Sequence, residues 1–209
     1  MLRRLPQIKT GNSILIVCEG SEEYDYLEAL KKCGVWSNKL SIKLKNAKSI
    51  NNILSQYQYE FANDNYDLIV IFCDTEVPPY DEFINLKKAI NEFHGKEVAE
   101  KIVFFTNPCS MQIILSHFKR VNLKSNSKTI NSTWIQNLTG VKDYIATENQ
   151  RTSIMKKINA KNYEVMKQNV AGLSGKCDVV PSTNVLELFE KLEKNEGSWI
   201  QKLKEEIDS

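Results

Sequence analysis

The chain is poor in the residues that most often announce a function. Its five cysteines (Cys18, Cys33, Cys73, Cys109 and Cys177) are odd in number, scattered and without a CxxC pair. That pattern argues against a disulfide framework and a zinc site and fits a reduced, cytoplasmic setting. Long apolar runs are missing too. Behind the basic opening Met1–Lys9 stands only Ile14–Cys18, too short for a signal-peptide core or a membrane span, so no membrane association is expected. There is no internal repeat, no nucleophile triad and no phosphate-cradling glycine loop. Gly172–Leu173–Ser174–Gly175–Lys176 lacks the first-glycine spacing and the preceding strand of a P-loop.

What is present is enough apolar material, 42% of 209 residues, for one large core or a core with an appendage. Net charge is only +2, but it is unevenly spread. From Lys119 to Lys176 eleven Lys or Arg face three acids, whereas both flanks are net acidic. A basic middle fits a surface turned toward a polyanion, or a solvated set of Lys-rich helices.

Strands and helices alternate through the first half. The pattern predicts strands at 13–18, 40–46, 67–73 and 101–106, with helices at 21–33, 48–62, 81–94 and 108–118. Such alternation marks βαβ units in a parallel sheet. Beyond His117 it becomes mostly helical, at 130–138, 148–158, 161–170 and 184–206, with no long strand. We therefore expect a metal-binding core over 1–118 and a basic, mostly helical region over 119–209, with a further soft boundary near 180.

Two strand ends carry the chemistry. Ser13–Cys18 runs into Glu19–Gly20, and Asp67–Cys73 runs into Asp74–Thr75–Glu76. Ligands of open α/β sheets gather outside the carboxyl ends of such strands. Glu19 and Glu23 are spaced E-G-x-x-E across a strand-to-helix turn, in which Gly20 permits a tight turn and Ser21 serves as N-cap. Asp74 and Glu76, two apart, point the same way. If the two strands are neighbours, four carboxylates meet, and their repulsion calls for a divalent cation. Oxygen ligands suit Mg²⁺ or Mn²⁺ in a site that handles phosphate. Glu19, Asp74 and Glu76 are the catalytic candidates, and all four acids are metal-ligand candidates.

The order E-G, apolar strand, D-x-D resembles the Toprim domain, and three further stretches are similar to the RloB-like family. These are Ile14–Tyr24, then Asn107–Pro108–Cys109 with His117–Phe118, then Pro181–Ser182–Thr183–Asn184–Val185. The resemblance implies a Toprim-like, doubly wound, mostly parallel sheet with a largely helical C-terminal part. It further implies divalent-metal-dependent phosphodiester cleavage in bacterial antiphage defence or abortive infection, beside an AAA-type ATPase partner. By matched position, Glu19, Glu23 and Asp74 inherit the metal role, while Asn107 and His117 inherit only membership of the motif. The chain departs from the pattern where Glu76 replaces the second aspartate, Ser110 a phenylalanine and Met111 a glutamate. That last change keeps open a catalytically inactive subunit that binds nucleic acid or protein.

Lys119, Arg120, Lys124 and Lys128, extended by Arg151, Lys156 and Lys157, form the candidate track for a DNA or RNA backbone. Trp134, Tyr144 and Tyr163 lie among them as base-stacking or helix-packing residues. His117, flanked by apolar residues, is a core histidine or a general base. A small-molecule phosphotransferase on the same kind of sheet is a third alternative, disfavoured by the missing glycine loop.

Overall fold

The computed structural model describes residues 12–194 and 196–209; the basic opening Met1–Lys9 lies outside them. Four parallel strands form the sheet: β1 (Ser13–Cys18), β2 (Ser41–Asn46), β3 (Leu68–Asp74) and β4 (Val103–Asn107). A two-residue strand, β5 (Ser182–Thr183), adds antiparallel to β4, and the order is β2-β1-β3-β4-β5. Apart from the first residue of β1, β1, β3 and β4 are buried throughout, as expected of β-branched and aromatic runs covered on both faces.

The helices between strands are α1 (Ser21–Lys32), α2 (Ile50–Ala62), α3 (Asp81–His94) and the short α4 (Ala99–Ile102). From β1 the chain steps to β2 on one side, then recrosses β1 to reach β3 on the other. Right-handed crossovers that reverse direction place α1 and α2 on opposite faces, so the sheet is doubly wound. The reversal falls between β1 and β3, and ligands of such sheets bind at that switch point. This is the fold class that the sequence implied.

After β4 come α5 (Met111–Ser116), α6 (Lys128–Thr139), α7 (Glu148–Met155), α8 (Ala160–Val170), α9 (Val185–Glu193) and α10 (Ser198–Asp208). These join the same core: α7 packs on α1 and α8 on α5, and the rings of Tyr26, Tyr163, Phe189 and Trp36 tie α1, α8 and α9 together. Asn184 completes the edge as a strand mimic. Its Oδ1 accepts from Phe105 N at 2.7 Å and its Nδ2 donates to Val103 O at 3.1 Å.

Several expected boundaries shift. The strand foreseen at 101–106 starts at Val103 behind α4, and the helix foreseen at 108–118 occupies only Met111–Ser116. The single helix foreseen over 184–206 is two, since Gly197 opens a new one. The half foreseen without a long strand holds only the two residues of β5, bonded where Thr183 Oγ1 donates to Phe105 O at 2.7 Å.

Candidate functional site

β1 ends at Cys18, but its pairing continues for one residue, because Glu19 N–H donates to Phe72 O at 3.0 Å. That delivers the Glu19 side chain to the end of β3. There its Oε2 accepts the backbone N–H of Asp74 at 2.9 Å. Asp74 is buried, and its Oδ1 accepts from Thr106 Oγ1 at 2.5 Å, across the β3–β4 pair that sets those residues side by side. Among the described residues each carboxylate is engaged through one oxygen, which leaves the other for a ligand.

Glu23, in the first turn of α1, reaches back so that its Oε2 accepts from Gly20 N–H at 2.9 Å. The nearby Ser110 side chain favours the charged form of the same carboxylate. Gly20, not Ser21, is the N-cap, and its backbone is extended rather than left-handed. Glycine eases the close approach there, since a Cβ would lie 3.1 Å from Glu23 Oε2 and push that carboxylate aside by a few tenths of an ångström. Glu76 follows Asp74 with φ of 61°, a left-handed conformation that costs a non-glycine residue roughly 1 kcal/mol or more. Asn126 Nδ2 donates to its Oε2.

All four acids line one cavity of about 600 Å³, together with Ser110, Met111 and Asn126. Burial is the main force on Glu19, Asp74 and Glu23. It lifts Glu19 from 4.5 to about 8, with Glu23, Glu76 and Glu82 adding repulsion and the Asp74 N–H opposing it. Burial also raises Asp74 well above its usual range, helped by Glu23 and Glu19, and raises Glu23. The cavity's cations are already partnered: Lys128 with Glu22 at 3.1 Å and Arg151 with Asp25 at 2.7 Å. Such a floor is neutralised by protons or by a hard cation, and carboxylate oxygens suit a divalent metal. As the side chains stand, no three His, Cys, Asp or Glu among the described residues are grouped as a ready metal shell.

Of the candidate nucleic-acid contacts, only Lys128 and Arg151 reach this cavity. Lys124 and Lys157 donate to Val180 O at 3.0 Å and Thr139 O at 2.6 Å. Lys156 lines a separate groove beside Tyr24 and Cys33, and Lys119 and Arg120 are exposed beyond α5. Tyr144 and Tyr163 are buried, with hydroxyls donating to Glu22 and Glu193, so they are packing residues and not stacking platforms. Trp134 is 39% exposed.

The two motif residues without assigned chemistry have structural partners. His117 is buried, its Nε2 sharing a hydrogen bond with Tyr26 OH at 3.0 Å and its Nδ1 with Asn162 Oδ1 at 3.1 Å. Burial lowers its pKa to about 4, so it is a neutral core histidine. Asn107 Nδ2 donates to Cys177 O at 2.6 Å and Val179 O at 3.1 Å, pinning the segment before β5 to the end of β4. Thr106, Ser110 and Asn126 are site residues that sequence reasoning missed. They carry no charge, and only their register or loop placement brings them to the acids.

An α/β sheet with acids recessed at its switch point defines the class of protein. Within that class the chain belongs to the RloB-like protein family, whose model matches residues 14–192. Neither the curated proteins nor the solved structures contain a match to this chain. Among the described residues no helix is long and apolar enough to cross a membrane.

Proposed function

We propose that the protein cleaves nucleic-acid phosphodiester bonds with the help of Mg²⁺ or Mn²⁺. The observation that carries this is the meeting of Glu19 and Asp74 at one hydrogen bond, with Glu23 and Glu76 on the same cavity. Glu19 and Asp74 would hold the ion through their free oxygens, and Glu76 would join from the turn beyond β3. A bound ion supplies Lewis-acid stabilisation of phosphoryl charge and a water of lowered pKa. Thr106 fixes the Asp74 carboxylate, and the Asp74 N–H fixes that of Glu19. Lys128 and Arg151, on the cavity wall, would face the substrate phosphates.

The test is cleavage of labelled DNA and RNA in Mg²⁺. Glu19→Ala and Asp74→Ala abolish turnover while circular dichroism stays native, and chelator does the same to the unaltered protein. Cleavage that survives either substitution or the chelator refutes the proposal.

A second reading, an inactive binding subunit, is favoured by Met111 at the position of the resembled family's glutamate and by the lack of a ready three-residue metal shell among the described residues. It predicts salt-sensitive binding without turnover. The antiphage role and the ATPase partner are proposals that rest on the family. Expression with and without a neighbouring ATPase under phage challenge tests both.

A further inference from the structure

Building on the proposed nuclease reading, we infer that the site accepts an unpaired strand, with one nucleoside at a time entering the cavity. Asp74 and Glu23 are only 8% and 5% exposed and Glu19 and Glu76 are half-buried, so two of the acids form a floor and the other two stand above it. At about 600 Å³ the cavity has the size of a small-molecule cleft. A duplex keeps its bases stacked inside a rod and cannot follow a phosphate into such a recess. A single strand, free to bend at each nucleotide, can lower one phosphate into it. The wall chemistry agrees at the mouth: of the apolar residues lining the cavity, Met111 and Ile135 are buried, and Ile145 is 72% exposed. An apolar side chain at the mouth above a polar floor suits a base at the entrance and its phosphate below. Met111, where the resembled family has glutamate, keeps that wall uncharged.

The test is anisotropy binding with Ca²⁺ as the only divalent cation, using one oligonucleotide sequence as a single strand and as a blunt duplex. The single strand binds roughly tenfold tighter, and Ile145→Asp removes most of that advantage without weakening the duplex. Equal or tighter duplex binding, no effect of Ile145→Asp, or no binding of either form overturns the inference. Cleavage in Mg²⁺, assayed in parallel, judges the nuclease reading separately: a nuclease that prefers duplex sinks only the strand inference.

An independent observation assigns a buried water site to the other side of the same strand ends. Thr75 Oγ1, Asn107 Oδ1 and Ser182 Oγ are all buried and, among the described residues, all without a hydrogen-bond partner. Asp74 pairs with Thr106 and Asn107 with Ser182. Alternation therefore turns Thr75, Asn107 and Ser182 together onto the face opposite Asp74. Strands stand roughly 4.8 Å apart, so one water can bridge such neighbours, accepting from a hydroxyl and donating to the amide oxygen. The water would link Thr75, between the two acids, to both family motifs. A high-resolution crystal structure shows one density peak touching the three atoms, and Thr75→Val and Ser182→Ala each lower the Tm by about 3 °C. A dry site, variants that raise the Tm, or a Tm that depends on the alkali ion supplied overturns it.

Discussion

The backbone N–H of Asp74 donates to Oε2 of Glu19 at 2.9 Å, joining two residues 55 positions apart. The bond exists because β1 and β3 are adjacent at the point where the sheet reverses direction. It makes the two acids one electrostatic unit.

Metal-free protein should lose stability as pH rises. Glu19 titrates at about 8 against an ordinary 4.5, and Asp74 and Glu23 are raised as well. The folded state therefore holds protons that the unfolded chain has released, and unfolding free energy falls with pH across that window. The Glu19 contribution is complete below the ordinary carboxylate range and gone once pH passes about 8. Thermal melts in chelator show this slope; Mg²⁺ flattens it, and Glu19→Gln reduces it.

Thr106→Val keeps the shape of a buried side chain and removes the donor to Asp74 Oδ1. Loss of a hydrogen bond to a carboxylate costs about 1–3 kcal/mol, read from urea unfolding. Because that bond lowers the Asp74 pKa, the variant's pH transition moves upward.

His117→Ala should behave as a core lesion. It leaves a cavity and strips the partner from Tyr26 OH, at a cost of about 2–4 kcal/mol. Cleavage per folded molecule is unchanged at permissive temperature. A loss of rate without a loss of stability would make the imidazole catalytic.

Asn107→Ala releases the carbonyls of Cys177 and Val179. Stability falls by about 2 kcal/mol, and hydrogen exchange rises over 177–183 while β1 stays protected.

Much of this was legible in the sequence, and the residues explain why. β1 and β3 are β-branched runs ending on acids, so both the strands and the crevice follow from local pattern. Thr106, Ser110 and Asn126 were not legible, because neutral side chains acquire a role only through β3–β4 register and a distant loop. β5 has two residues, too few to show any period. The break between α9 and α10 was marked by Gly197, but apolar residues continue on both sides at helical spacing and mask it. The basic stretch misled for another reason: charge density does not say where a side chain points. Among the candidate track only Lys128 and Arg151 line the cavity of the acids.

Soaking crystals with Mn²⁺ and collecting anomalous data tests the shared-ion claim most directly. The account predicts a single strong peak within coordination distance of both the Glu19 and Asp74 carboxylates. Occupied manganese elsewhere, with these two side chains still bonded only to protein donors, would contradict it.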